Sequence, residues 1–410
     1  MAAACASLTS FTVPAATASI GNAPFAGCTA LASLQVAEGN TVYHSRQNCI
    51  IRTGRKTMIA GCNSSVIPTD GSVTTIGQYA LFGMDGLSTI HIPLAVTEIG
   101  NYALSGCDGL TAFTVETGHP RYRMQNGCLM TVGGTLLAGT PHSVIPTDGS
   151  LNVTMIADGA FRGLSTLTSI HLPDSIRSIG REAFRDCTGL RRIVIPDGIT
   201  KLPASVFEGC GALTSVTLPD TLTKVEEFAF RNCTALTDII LPAAVEEYVS
   251  HVFYGCTALK KVTFASGAAK TGMYMFEGCT ALREVILPET MKIIEYGTFI
   301  DCASLQSIQL PEGMSYISSH AFDGCSSLKK ISLPDGITEV GSGTFAGCLA
   351  LSELIVPASV QSFGTEVFLG CRLLDQITYL GTCAQWKYVF YPEQPDLPSL
   401  VRCLDGNMYH

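Results

Sequence analysis

Apolar positions along this chain follow one short pattern again and again. Measured from a cysteine, leucine comes three residues later, large apolar residues come six and eight later, and phenylalanine stands three earlier. Cys187 sets the frame: Phe184 precedes it, Leu190, Ile193 and Ile195 follow, and Pro196 closes the run. The anchor recurs at Cys5, Cys28, Met84, Cys107 and Leu164, and then every 23 residues from Cys187 to Cys371. Leu stands three after all fourteen anchors, and Pro nine after ten of them. A fixed period of this length marks a structural repeat.

Each column predicts an element. The pattern L-x-x-I-x-L ends in alternation of period two, a strand with one buried face. Pro directly after it has no N–H to donate and closes the strand. A second apolar pair often follows, as in Ile176/Ile179, Ile199/Leu202 and Val360/Phe363, and then Gly180, Gly341 or Gly364, where positive φ allows a turn. The segment A-F-x-G-C predicts a short helical turn whose Phe plugs the interior. One such unit cannot bury its apolar face alone, whereas stacked copies bury a continuous core through nearest-neighbour contacts. At about 4.8 Å per strand spacing, fourteen coils would span roughly 65 Å.

The period breaks twice. Anchors 28 and 84 are 56 apart, and anchors 107 and 164 are 57 apart. The two extra segments are related: Asn48-Cys49-Ile50-Ile51 and Thr57-Met58-Ile59-Ala60-Gly61 in one, Gly127-Cys128-Leu129-Met130 and Thr135-Leu136-Leu137-Ala138-Gly139 in the other. Val66-Ile67-Pro68-Thr69-Asp70-Gly71-Ser72 returns as Val144-Ile145-Pro146-Thr147-Asp148-Gly149-Ser150. Each segment reads as two short apolar runs around a Gly turn, at Gly54 and at Gly133-Gly134, which predicts a β-hairpin. The first 155 residues thus read as an older tandem duplication, and the remainder as plain array.

The consensus I-G-x-x-A-F-x-G-C-x-x-L-x-x-I-x-L-P-x-x-I, plain in Ile179-Gly180-Arg181-Glu182-Ala183-Phe184-Arg185-Asp186-Cys187-Thr188-Gly189-Leu190, resembles the BspA-like subclass of leucine-rich repeats over nearly the whole chain. The resemblance implies an α/β repeat: a right-handed leucine-rich-repeat solenoid with a parallel β-sheet on one side, short helical turns opposite and two β-hairpin insertions, of a kind found in bacterial members. The expected solenoid spans residues 1–378, with the insertions near 37–75 and 116–155. Residues 379–410 are the expected C-terminal cap, because Gly381-Thr382-Cys383-Ala384-Gln385-Trp386 resembles the terminal unit of many bacterial members. Trp386, the only Trp, is expected in the core of that cap, shielding the last coil. The resemblance also implies cell-surface or secreted adhesion, by binding a host or bacterial protein.

Composition narrows this little further. Of 410 residues, 47% are apolar and 14% charged, the reverse of a disordered chain. No run of 18 apolar residues predicts a membrane span. A net charge of −9 argues against a general nucleic-acid or anionic-membrane binder. Met1 enters directly before an anchor. Ala2-Ala3-Ala4-Cys5 resembles a lipoprotein cleavage motif but lacks a basic start and an apolar core. With no signal peptide, and with relatives of this kind usually exported, the chain reads as a fragment.

Candidate chemistry is sparse. Seventeen cysteines invite a disulfide or zinc reading, but paired C-x-x-C spacings are absent. Parallel side chains on successive coils hold sulfurs more than twice a bond length apart, so the ladder reads as buried thiols. Any reactive or bridging thiol is to be sought among Cys49, Cys62, Cys128, Cys383 and Cys403. His91 and His171 fall on the outward sheet face, not on adjacent coils, and His251 and His320 read as exposed turn residues. No hydrolase, zincin or phosphate-loop motif appears, and the N-x-[ST] matches at Asn63, Asn152 and Asn232 are of a length that arises by chance. No catalytic, cofactor-binding or metal residue is therefore assigned, and the chain reads as non-enzymatic.

The outward strand positions carry the remaining signal. Arg191, Arg192, Lys260, Lys261, Arg283, Lys329 and Lys330 make a locally basic stripe on an acidic protein, and Val194, Ile240 and Ile286 add exposed apolar residues. These ten form the candidate protein-binding face. The same charges would also serve simply to keep a solvated sheet from pairing with another. A monomeric interaction module is the leading reading. A passive stalk is the second and a polysaccharide-active enzyme the third, the latter requiring a carboxylate cluster that only Glu284, Asp238 and Lys261 remotely approach.

Overall fold

The computed structural model describes residues 5–147, 152–389 and 397–409. The Ala2-Ala3-Ala4 start and the Asp148-Gly149-Ser150 stretch lie outside the described residues. Two compact units result, Met1–Gly198 and Ile199–His410. Both are parallel-strand arrays of stacked coils with almost no helix.

In the second unit most coils contribute a strand to a main sheet and a two-residue strand to a side ladder, with isolated bridges at Lys270 and Ser307 instead. Asp238–Leu241 pairs parallel with Lys261–Phe264, and that strand with Glu284–Ile286. Lys330–Ser332, Glu353–Val356 and Gln376–Tyr379 continue the same way. Partners differ by 23 residues, as in Asp238↔Lys261, so sequence columns become spatial rows. The side ladder runs through Lys201–Leu202, Lys224–Val225 and Glu247–Tyr248. A third set of backbone bonds joins the turns: Phe230 N donates to Val252 O, and Phe253 N to Met275 O, both at 2.9 Å.

The A-F-x-G-C segments are hydrogen-bonded turns, not helical ones. Among the described residues, regular helix is confined to Cys383–Trp386 and the 3-10 turn Thr53–Arg55. The reason is backbone conformation. The residue two before Phe and the residue before Cys both take positive φ, as in Glu182 (55°) and Asp186 (59°), His251 (57°) and Gly255 (70°), Tyr274 (54°) and Gly278 (72°). A left-handed residue every fourth position stops a right-handed helix. Gly, Asn or Asp before the anchor tolerates that φ.

The interior is a column of rings. Phe207, Phe230, Phe253, Phe276, Phe299, Phe322 and Phe345 are fully buried, each stacked on the next at 5.2–5.9 Å between centroids. Beside it runs the thiol column. Each thiol also does more than fill space: Cys256 Sγ donates to Phe230 O at 3.1 Å, Cys279 Sγ to Phe253 O at 3.2 Å and Cys302 Sγ to Phe276 O at 3.3 Å. A ladder cysteine therefore satisfies a carbonyl on the preceding coil, a role that spacing alone does not show.

The first unit has the same frame. Ser10–Val13 pairs parallel with Ser33–Val36, and Thr89–Ile92 with Ala112–Val115. Phe161 stacks on Phe184 at 5.1 Å. Each period-breaking segment forms three antiparallel strands. In the first, Tyr43–Arg46 pairs with Cys49–Arg52, which pairs with Thr57–Ala60. In the second, the same order holds for Tyr122–Gln125, Cys128–Thr131 and Thr135–Ala138. The third strand then joins the side ladder in parallel, at Thr75–Ile76 and Met155–Ile156 respectively. The strands beginning at Tyr43 and Tyr122 were not anticipated. Asn126-Gly127, both at positive φ, is the hairpin turn signal that marks the second of them.

Asn40 and His119 hold corresponding places before these strands. Asn40 Oδ1 accepts from Val42 N (2.9 Å) and Tyr43 N (2.8 Å). His119 is buried, and its Nδ1 accepts from Arg121 N and Tyr122 N, both at 3.1 Å. The Nε2 side faces Val96 O at 3.1 Å, so the imidazole carries its proton there. His119→Phe is expected to strand two backbone donors and cost about 2 kcal/mol. His119→Asn should cost less than half of that, because Asn40 makes the same pair of bonds. Guanidinium unfolding of both variants checks this, and equal losses would refute the correspondence.

Candidate interaction face and the terminal unit

The ten outward residues are all at least partly exposed. Arg191, Arg192 and Val194 lie on the first unit. Arg192–Val194 is a short strand there, bridged from Arg192 to Ser169, with Val194 59% exposed. The other seven lie on the second unit.

There, sheet register sets two parallel rows. One is Asp238↔Lys261↔Glu284 and the other Ile240↔Thr263↔Ile286. Lys261 Nζ lies 2.7 Å from Glu284 Oε1. Lys330 Nζ lies 2.7 Å from Glu353 Oε1 one coil on. Lys261 and Lys330 are thus half of two cross-coil ion pairs, and the stripe is less basic than its lysines suggest. Exposed pairs of this kind contribute little stability. Lys260, Arg283 and Lys329 are exposed and carry no ion pair among the described residues.

The apolar row is the more distinctive feature. Ile240 is 68% exposed and Ile286 41%, on either side of Thr263. Ile240, Lys261 and Asp238 border a shallow concavity of about 460 Å³, walled by Leu218 and Pro242. A second, of about 500 Å³, is bordered by Lys330, Ser332 and Glu312. The Glu284, Asp238 and Lys261 group is cross-coil charge pairing, and none of its members shows the arrangement a glycosidase needs, two facing carboxylates with one of them buried.

His251 and His320 are half-buried, not exposed. His251 stacks on Tyr274 at 4.7 Å and lies 5.3 Å from Phe228, and His320 lies 5.4 Å from Tyr296. The Arg231 guanidinium covers Phe228 and Tyr254 at 5.1 and 5.2 Å. Burial, and then the Arg231 charge, hold the His251 imidazole below its usual pKa. The aromatic column two before Phe was the signal for this ladder.

None of the seventeen cysteines is in a disulfide. Cys5 is exposed, unlike its buried counterparts on the ladder. Of the five off the ladder, Cys49, Cys62 and Cys128 are buried, whereas Cys383 and Cys403 are half-buried. Trp386 is buried against Tyr379 (5.0 Å) and Phe363 (6.1 Å). It ends the short helix Cys383–Trp386, whose N-cap Thr382 forms a capping box with Gln385.

The BspA type leucine rich repeat region matches the sequence in six copies, over residues 2–119, 154–283 and 250–375. The chain belongs to the BspA-type leucine-rich repeat family. Solved structures of similar chains include a leucine rich cell surface protein of Faecalibacterium prausnitzii, 27% identical with a TM-score of 0.47, covering 85% of this chain and 96% of that one. A leucine-rich repeat protein of Bacteroides ovatus is 24% identical with a TM-score of 0.49, covering 88% and 98%. A leucine-rich repeat protein of T. pallidum is 30% identical with a TM-score of 0.32, covering 33% and 77%. No curated protein matches. BspA-type arrays, like other leucine-rich repeats, are typically scaffolds for protein interaction and generally not enzymes. No helix among the described residues is long and apolar enough to cross a membrane.

Proposed function

We propose that this BspA-type chain is a non-enzymatic adhesion module that binds a protein at a cell surface or outside the cell. The observation that carries the reading is the exposed row Ile240–Thr263–Ile286 beside the Asp238–Lys261–Glu284 row. An apolar strip flanked by mixed charge fits a protein partner, because apolar contact supplies affinity and flanking charge selects the register. Arg283, Lys329 and Lys330 extend the charged flank on the same unit, and Arg191, Arg192 and Val194 offer a comparable strip on the first. The chain acts as a monomer. The surface residence of the Faecalibacterium protein, named as a leucine rich cell surface protein, is consistent with that location.

A pull-down against extracellular-matrix, plasma and bacterial surface proteins tests it. The wild type is compared with Ile240→Ser/Ile286→Ser and with Arg192→Ser/Lys261→Ser/Lys330→Ser. Saturable binding weakened at least about tenfold by the isoleucine changes is the expected result. Binding untouched by either variant would move the site off the sheet face. No partner at all would favour a passive stalk.

A further inference from the structure

We propose that Cys383, Cys403 and Asp405 form a binding site for a single divalent cation of the zinc class. Their sulfur and carboxylate donor atoms all lie within 4.8 Å of one another. The three arrive on separately positioned pieces of backbone. Cys383 opens the helix held by the Thr382–Gln385 capping box and by buried Trp386. Cys403 ends the strand Leu400–Cys403, which pairs parallel with Gln376–Tyr379, one strand in from the sheet edge. Asp405 sits in the tight turn that leads into Gly406–Tyr409, where Cys403 pairs with Gly406. Cys383 N donates to Asp405 Oδ1 at 2.6 Å, and Leu404 N donates to Gly381 O at 2.9 Å. The turn and the helix start are therefore tied together before any ligand arrives.

The donor chemistry is that of a zinc site. Two thiolates and one carboxylate suit a borderline-soft cation, and tetrahedral coordination separates such donors by roughly 3.3–3.8 Å. The cluster needs to contract by about 1.5 Å at most to reach that geometry. Both cysteines are half-buried, so water can complete the fourth position. Three potential anions share one small volume, and a divalent ion would displace the two thiol protons and neutralise them. A disulfide would use the sulfurs alone. The carboxylate is the third donor that points to an ion. The spacing, nineteen residues between the cysteines and one before Asp405, is why no short zinc motif marks it.

The probe is Co²⁺, added to the full reduced chain. One equivalent should bind with thiolate-to-metal charge-transfer absorption and be displaced by Zn²⁺. Cys383→Ser/Cys403→Ser should abolish that band. Asp405→Asn, which keeps both thiols and the acceptor for Cys383 N, should weaken binding at least about tenfold. Zn²⁺ should raise the Tm of the wild type and not that of the double variant, a readout that also shows both proteins are folded. A band that survives in the double variant would place the metal on other thiols and overturn the site. So would an absent band in the wild type, or full affinity in Asp405→Asn. A Cys383–Cys403 disulfide found in the unreduced chain, combined with no Co²⁺ uptake after reduction, would replace the cation with a redox staple.

Discussion

Raising the pH of the reduced protein from about 8 to about 10 is expected to remove roughly 4 kcal/mol or more of its stability. The cause is the buried thiols. Burial pushes Cys49, Cys107 and Cys256 up to about 12 and Cys128 up to about 11, and Cys233, Cys279, Cys302 and Cys348 well above the ordinary value. In the unfolded chain a thiol titrates near about 8.5–9. Above that pH the unfolded state binds fewer protons than the native state, so stability falls as pH rises. It is fully present below the unfolded value and is lost progressively up to the native one. Each such thiol contributes a loss of about 1.4 kcal/mol per pH unit in that window. Three of them account for the figure above, and the remaining buried thiols add to it. Guanidinium midpoints measured with reductant at several pH values check this. A midpoint that holds steady from about pH 8 to about pH 10 would sink the thiol-ladder account.

Phe253→Ala is expected to cost about 3–5 kcal/mol, while Lys260→Ser should stay within about 0.5 kcal/mol. Phe253 is fully buried and touches Phe230 at 5.2 Å and Phe276 at 5.4 Å, both nearly parallel to it. Its backbone is pinned on both sides. The N–H donates to Met275 O, and the carbonyl accepts from Cys256 N and from Cys279 Sγ. The chain cannot close over the missing ring, so the cavity stays open and the loss falls in the upper part of the range. The ring also couples neighbouring coils, so its removal should broaden the transition as well as shift it. Lys260 is exposed and contributes one solvated charge. Equal losses in thermal or guanidinium unfolding would reverse the assigned inside and outside of the strand.

The difference between these two substitutions was legible before any coordinates. Period two in Lys261–Val262–Thr263–Phe264 separates inward from outward residues, and the 23-residue spacing stacks like on like. The Phe column, the thiol column and the outward row followed from those two facts. The expected helical turns did not, because pattern alone does not report the left-handed residues that interrupt them. Nor did the first insertion strands at Tyr43 and Tyr122, whose polar content hides a strand tied down by Asn40 and His119.

The candidate sites divide along the same line. Ile240, Thr263 and Ile286 are consecutive members of one outward column, and the sheet register keeps that order. Lys261 and Lys330 face Glu284 and Glu353 one 23-residue period on, and the structure closes both pairs at 2.7 Å. Cys383, Cys403 and Asp405 have no periodic relation at all. The sequence by itself determined the repeat, its inward and outward faces and its family, because each depends on contacts repeated at one fixed separation. Only the tertiary structure decided the half-buried histidines and the Cys383–Cys403–Asp405 cluster. The cluster's contacts occur once, between segments whose approach is set by turns and strand pairing and not by any period along the chain.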